Sequence, residues 1–137
     1  MATLNDDAVK GLLEAPHHAV ISTLNEDGSI LSTVAWISLE NGELAVNSAE
    51  GRQWPSNLDR DPRVTALVYD ANNPYEYVEI QGRALATRDD ADDHIDRLAK
   101  SYIGQDKYPF RAPGEVRKKY VISPLRVRHQ KQGEANR

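Results

Sequence analysis

The chain has 137 residues, of which 39% are apolar and 28% charged, and this suits one domain with a single hydrophobic core over residues 1–137. A net charge of −4 with no basic stripe argues against a nucleic-acid partner, and the lack of cysteine excludes disulfides, thiolate metal sites and thiol catalysis. No apolar run approaches the length of a membrane span, and the first residues lack the basic and apolar regions of a signal peptide, so we expect a cytoplasmic protein.

The first third of the chain predicts one helix followed by three strands. Asn5 fits an N-cap, and the helix should end before Pro16. The segments that follow are rich in β-branched residues and are separated by Asp27-Gly28 and Asn41-Gly42, dipeptides that favour hairpin turns. We expect a meander of three antiparallel strands at residues 17–24, 29–39 and 43–48.

The rest of the chain predicts further strands and two helices, the first of which is short and should end near Pro62. Gly82 lies in the middle of a long strand and suggests a bulge or a barrel corner. Pro124 should interrupt the last strand, and the polar tail over 130–137 should be frayed. The strands are expected at residues 63–69, 75–86, 116–123 and 125–129. Six or seven short strands with few helices favour a closed or partly closed antiparallel barrel.

The junction between the strand at 43–48 and the short helix is the main candidate site. A helix N-terminus leaves backbone N–H groups without partners, and its dipole attracts anions. Ser48 and Arg52 lie at this junction, where a hydroxyl and a guanidinium would complete a phosphate cradle. The alternative is an ordinary strand–helix connection with a solvated arginine.

Several short motifs follow one another in a recognisable order. They are Ser32-Thr33-Val34-Ala35-Trp36, Val46-Asn47-Ser48, Gly51-Arg52, Asn57-Leu58-Asp59-Arg60-Asp61-Pro62-Arg63-Val64 and Val78-Glu79-Ile80-Gln81-Gly82-Arg83-Ala84. This order resembles the split β-barrel flavin-binding proteins related to pyridoxamine phosphate oxidase, and within them the small enzymes that use the deazaflavin coenzyme F(420). The resemblance implies a mainly β fold, an FMN-binding-like split β-barrel of the antiparallel Greek-key type.

The resemblance also implies a cofactor, a partner and a set of site residues. The implied cofactor is coenzyme F(420), with FMN as the alternative, because relatives also bind FMN, haem or other ligands. The implied assembly is a homodimer with cofactor sites in grooves along the subunit interface, acting on a small-molecule substrate. The residues carried over from the family, the first four lining the flavin ring and the others the phosphate, are Leu31, Ser32, Thr33, Val34, Asn47, Ser48, Ala49, Arg52, Gln53, Trp54, Pro55 and Asn57.

Two aromatic residues leave alternatives open. Many relatives have a lysine three residues before the position of Asn57, where this chain has Trp54. The loss of that cation means that the anionic tail is held differently, or that Trp54 packs on a ring system. Tyr77, which follows Pro74, would either border a ring-binding groove or pack the barrel mouth.

No side chain stands out as catalytic. None of the serines lies in a Gly-x-Ser-x-Gly elbow, and adjacent His17 and His18 would point to opposite faces of a strand, so we expect neither a triad nor a metal site. We expect Asp89-Asp90 to be a solvated first helical turn and Lys118-Lys119 a solvated edge.

Hydride transfer fits this lack of catalytic side chains, because the cofactor carries the reactive atom and the protein orients it. The expected function is reduction of a conjugated organic molecule by a deazaflavin-dependent oxidoreductase. The alternatives are an FMN-dependent oxidase or reductase and a non-catalytic binder of flavin or haem.

Overall fold

The computed structural model describes residues 2–131, and this part of the chain forms three helices and seven strands. The helices are α1 Asp7–Glu14, α2 Gln53–Arg60 and α3 Ala91–Ile103. The strands are β1 Ala19–Leu24, β2 Ile30–Ala35, β3 Ile37–Glu40, β4 Glu43–Ala49, β5 Arg63–Asp70, β6 Asn73–Thr87 and β7 Arg117–Gln130.

All seven strands belong to one antiparallel sheet with the order β2-β1-β5-β6-β7-β4-β3. The two edge strands, β2 and β3, lie at opposite ends of this order although only Trp36 separates them in the chain. The edges must therefore approach each other at Trp36, and the sheet curls into a half-barrel. The expected mainly β, split β-barrel fold is confirmed.

The expected meander is wrong in one respect, because residues 29–39 form two strands that pair with different partners. β2 pairs with β1, and β3 pairs with β4. The backbone at the break is satisfied by a side chain of α3: the Tyr102 hydroxyl accepts a hydrogen bond from the Ile37 N–H at 3.0 Å and donates one to the His17 carbonyl. No glycine or proline marks this break, so the sequence pattern predicted one continuous strand.

Gly82 lies at a bulge, as predicted. The pairing of β6 with β7 shifts register between Gln81 and Gly82, where Gly82 faces Pro124. A Cβ atom at position 82 would lie 2.3 Å from the Ser123 carbonyl oxygen, so only glycine fits there. The predicted interruption at Pro124 is thus a bulge within one continuous strand.

The hydrophobic core fills the concave side of the sheet and is closed by α1. Burial alternates along strand β1, with Ala19, Ile21 and Thr23 buried. Helix α1 buries Val9, Leu12 and Leu13 against this core. Alternating burial on the strands and a 3.6-residue stripe on the helix produce a single core.

The expected solvated edge at Lys118-Lys119 is wrong. Strand β7 lies between β6 and β4 rather than at an edge, and the two lysine side chains are only 8% and 9% exposed. Each ammonium is paired with carboxylates: Lys118 with Asp59 at 2.6 Å, and Lys119 with Glu40 at 3.0 Å and Asp90 at 2.9 Å. Asp90 is therefore an ion-pair partner rather than only a solvated helix cap.

The prediction of a frayed tail is wrong at its first residue, Gln130. Gln130 pairs with Tyr77 in the sheet and is buried, so it is part of β7. The remainder of the predicted tail, residues 132–137, lies outside the described residues.

Candidate functional site

A cavity of about 470 Å³ lies where β4 meets α2, a size typical of small-molecule sites. Strand β2, the break at Trp36, helix α3 and the loop before β7 complete its wall. The lining residues are His18, Thr33, Val34, Ala35, Trp36, Asn47, Arg52, Trp54, Ile95, Leu98, Tyr108 and Arg117.

The predicted strand–helix junction forms one end of this cavity. Strand β4 ends at Ala49, and Gly51 adopts a φ of +94° that turns the chain into α2. Arg52 is the N-cap residue of α2. Of the first helical residues, Pro55 has no N–H, so the backbone donors expected at this end are those of Gln53 and Trp54.

Five of the predicted cofactor residues line the cavity, namely Thr33, Val34, Asn47, Arg52 and Trp54. Four others are buried beside it: Ser48, Ala49, Pro55 and Asn57. The amide of Asn57 donates to Thr23 Oγ1 at 3.0 Å and to Asn25 Oδ1 at 2.8 Å, so it ties α2 to the β1–β2 hairpin.

The remaining predicted residues lie outside the cavity wall. Leu31 and Gln53 line a separate polar depression next to the β1–β2 turn. The Ser32 hydroxyl lies 2.9 Å from that of Ser22, and the Tyr77 ring packs under the Arg128 guanidinium at 5.4 Å. A role for these residues in cofactor binding stays a prediction.

The cavity contains two arginines, one of which sequence reasoning missed. The Arg52 side chain is 49% exposed, whereas that of Arg117 is only 2% exposed. Both face the carboxylate of Glu115, which lies 3.6 Å from Arg52 Nη2 and 3.2 Å from Arg117 Nη1. In the described part of the chain Arg117 Nη1 has no hydrogen-bond partner. A buried guanidinium with unused donors suits an anionic ligand group.

A buried polar network lies behind Asn47. The Asn47 amide nitrogen donates to the Ala91 carbonyl at 2.9 Å and lies 3.0 Å from His94 Nδ1. The Asn47 oxygen accepts a hydrogen bond from Arg117 Nε at 3.0 Å. His94 is fully buried and reaches Ser38 Oγ through Nε2 at 2.9 Å. The cavity wall is thereby connected to the ion pairs under α3.

The network contains two strongly shifted groups. Burial lowers the pKa of His94 to about 4, although the nearby Glu40 charge acts in the opposite direction, so the imidazole is neutral at pH 7. Burial alone would raise the pKa of Glu40, but hydrogen bonds from Arg97 and Lys119 outweigh it and lower that pKa to about 2. Glu40 is therefore a carboxylate throughout the physiological range.

Aromatic rings also line the cavity. The ring of Trp36 stacks on that of Tyr102, with centroids 5.3 Å apart and planes at 13°, and meets Tyr108 edge-on at 6.0 Å. Trp54 is 7% exposed and belongs to the core cluster, with its ring 6.2 Å from that of Tyr120. Trp54 therefore contributes to folding as well as to the cavity.

Within residues 2–131, no group of three or more His, Asp or Glu side chains is arranged to hold a metal ion. The three helices of this part of the chain also lack the length and apolar character needed to cross a membrane.

Known structures share this architecture. A structure described as an F(420) reductase matches with a TM-score of 0.75 and 24% identity, over 87% of this chain and 94% of that one. A conserved hypothetical protein from Mycobacterium tuberculosis matches with a TM-score of 0.73 and 21% identity, over 92% of this chain and 84% of that one. General stress protein 26 from Bacillus anthracis matches with a TM-score of 0.65 and 16% identity, over 88% and 89%. At these identities the likeness shows the fold.

The family assignment comes from the sequence itself. A search of curated proteins returned no match. The profile of the family described as pyridoxamine 5′-phosphate oxidase, however, matches residues 5–131, nearly the whole chain. The chain therefore belongs to the pyridoxamine 5′-phosphate oxidase family of split β-barrel proteins, whose members are mostly flavin-dependent oxidoreductases.

Proposed function

We propose that this protein is a reductase that uses the deazaflavin coenzyme F(420) to reduce a small conjugated organic molecule. The observation that carries the proposal is the cavity at the β4–α2 junction, which combines the buried Arg117 guanidinium, the N-terminus of α2 and an aromatic wall. The F(420) reductase among the structural neighbours supports the choice of deazaflavin.

The residues present fit a ligand that has an anionic group and a planar ring. Arg117 Nη1 is buried with no hydrogen-bond partner among residues 2–131, and the cavity also contains the more exposed Arg52. Trp36 and Tyr108 offer apolar ring surface in the same cavity. In the proposed complex the arginines hold the phosphate, and the segment Thr33-Val34 lines the ring.

When bound in its reduced form, a deazaflavin would supply a hydride to an acceptor double bond and become oxidised, and a solvent proton would complete the reduction. The protein's own residues bind and orient the cofactor and the acceptor, and they exclude water from the cavity. A side-chain acid is not required by this proposal, and His94, which lies behind Asn47 of the cavity wall, is neutral at pH 7 and already bonded to Asn47.

We further propose a homodimer in which a second copy covers the open side of the cavity. Strand β2 is an edge strand, and its residues Ile30 and Val34 are 70% and 66% exposed on the same face. Val34 also lines the cavity, so a partner packed on this face would border the cofactor. Large exposed apolar residues on one strand face are typical of an interaction surface.

The function is tested by following the absorbance of reduced F(420) in the presence of conjugated acceptors such as quinones and unsaturated lactones. We expect reduced F(420) to be oxidised only when an acceptor is present, at a rate that saturates as the F(420) concentration rises. If the protein uses FMN instead, reduced FMN will support acceptor reduction and reduced F(420) will not. If the protein binds a cofactor but supports no turnover with either one, it is a non-catalytic binder.

The anion site is tested by Arg117→Ala. Loss of a buried charged hydrogen-bond donor should cost about 1.5–3 kcal/mol of binding, a weakening of roughly tenfold to a hundredfold. Arg52→Ala should cost at most about 1 kcal/mol, because its side chain is half exposed and its pairing is screened. Arg126→Ala, an exposed cation on the same strand as Arg117 but outside the cavity, is the matched control.

Ligand pairs separate phosphate binding from ring binding. FMN and riboflavin differ only in the phosphate, whereas F(420) and its ring compound differ in the whole anionic tail, which includes the phosphate. Arg117→Ala should weaken the phosphorylated member of each pair and leave the other unchanged. Equal weakening of both members would show that Arg117 shapes the cavity rather than binding the anion.

A further inference from the structure

The hydrogen bonds around Asn47 have only one consistent direction. Arg117 Nε is a donor and the Ala91 carbonyl is an acceptor, so the Asn47 oxygen must face Arg117 and its amide nitrogen must face Ala91. That same nitrogen lies 3.0 Å from His94 Nδ1, which must therefore be the acceptor. If the amide were turned over, two donors would face each other at Arg117 and two acceptors at the Ala91 carbonyl.

The other side of the imidazole is fixed as well. With Nδ1 accepting, Nε2 carries the proton and donates to Ser38 Oγ at 2.9 Å, and Ser38 donates to Glu40 Oε2 at 3.1 Å. Glu40 stays ionised because Arg97 and Lys119 bind it at 2.9 and 3.0 Å. The chain of bonds from Glu40 to Arg117 is thus continuous and has one polarity.

We propose that His94 is a positioning residue for the anion site: its neutral imidazole fixes the Asn47 amide, and Asn47 in turn holds the Arg117 guanidinium in the cavity wall. The proposal rests on the proposed function in so far as the held guanidinium binds the cofactor's phosphate. It assigns a role to His94, whose side chain does not line the cavity.

Arg117 needs such a restraint because a competing partner is close. Glu115 Oε2 lies 3.2 Å from Arg117 Nη1, but the contact lacks hydrogen-bond geometry, and the guanidinium otherwise rests over the Tyr108 ring at 5.0 Å. Without the Asn47 bond at Nε, the guanidinium is free to turn and pair with Glu115 through two parallel hydrogen bonds. Its donors would then be taken by a carboxylate of the same chain and lost to an incoming anion.

The test measures the affinity for F(420), FMN and inorganic pyrophosphate in four proteins. His94→Phe removes the acceptor and keeps a ring, and His94→Asn restores an acceptor oxygen close to the position of Nδ1. His129→Phe is the matched control, because His129 lies on β7 and contacts Glu76 away from the cavity. We expect an anion affinity about tenfold weaker in His94→Phe, a value within threefold of wild type in His94→Asn, and no change in the control.

A double-mutant cycle distinguishes positioning from a general structural role. If His94 acts through Arg117, the double variant His94→Phe/Arg117→Ala binds the anions no more weakly than Arg117→Ala alone. Additive losses would overturn the proposal, and so would a failure of His94→Asn to restore binding while it melts as wild type does.

Nitrogen NMR of the wild-type protein tests the same claim without any variant. We expect His94 to be the neutral tautomer with its proton on Nε2, and we expect the Arg117 Nε–H signal to be protected from exchange. A proton on Nδ1 or an unprotected Arg117 signal would overturn the proposal. If wild type binds none of the three ligands, the proposed function fails, but these two signals still decide the geometry around His94.

Discussion

The buried neutral His94 predicts that the protein loses stability in mild acid. In the folded protein its pKa is about 4, because burial penalises the charged form, whereas the ordinary value is 6.5. Between these two values the unfolded chain binds a proton that the folded chain does not. The unfolded state therefore gains stability as the pH falls through 6.5, and the free energy of unfolding decreases until the folded imidazole is also protonated near pH 4.

The size of this effect follows from the difference between the two pKa values. A pKa difference of one unit corresponds to about 1.4 kcal/mol, so the fall from 6.5 to about 4 predicts a loss of about 3 kcal/mol by pH 4. That is a large share of the 5–15 kcal/mol that is usual for a folded domain. Glu40, with a folded pKa of about 2, adds its own loss only as the pH falls below its ordinary value of 4.5.

The assay is urea unfolding at steps from pH 7.5 to 4.5, followed by tryptophan fluorescence and circular dichroism. His94→Asn removes the titrating group and keeps an acceptor, so the difference between wild type and this variant isolates His94 from the other titrating groups. We expect the wild type to lose stability steeply between pH 6.5 and 4.5 and the variant to lose much less. Parallel curves for the two proteins would refute the burial argument.

Three further predictions concern the cofactor and the assembly. Trp36 and Trp54, the two tryptophans of the chain, both line the cavity. Cofactor binding should therefore quench the fluorescence of both single-tryptophan variants, Trp54→Phe and Trp36→Phe. If one variant is not quenched, the ligand does not bind next to the tryptophan that remains in it. Trp54→Lys, which restores the cation common in relatives, should lower the melting temperature because Trp54 is 7% exposed within the core, and an unchanged melting temperature would contradict that packing. Light scattering at micromolar concentration should give the mass of a dimer, and Val34→Glu, on the exposed face of β2, should shift the protein to a monomer; a wild-type monomer would contradict the dimer.

Much of the fold was predictable because its signals are local. The turn dipeptides Asp27-Gly28 and Asn41-Gly42 predicted two hairpins, β-branched residues predicted β1, and Gly82 predicted the bulge in β6. The break at Trp36 was not predictable, because Tyr102, a residue far along the chain, provides the partner that the strand backbone lacks there. A pattern read along one segment cannot report a hydrogen bond that comes from another.

The candidate site was predictable only where its residues are neighbours in the sequence. The strand–helix junction at Arg52 was found from helix-terminus physics, since a helix end is a local feature. Arg117 was missed because it reaches Asn47 only through the pairing of β7 with β4, 70 positions away in the sequence. A usable signal was present in the run Arg117-Lys118-Lys119: adjacent cations in an otherwise strand-forming segment must find acidic partners if the strand is central.

The most direct test of the account is a pair of equilibrium titrations of the wild-type protein, one with F(420) and one with FMN, followed by absorbance and by tryptophan quenching. We expect saturable binding of F(420) that is tighter than that of FMN, and weaker binding of both in Arg117→Ala, because both ligands carry a phosphate. Tighter binding of FMN would contradict the choice of deazaflavin. Binding of neither would contradict the assignment of the cavity as a flavin site.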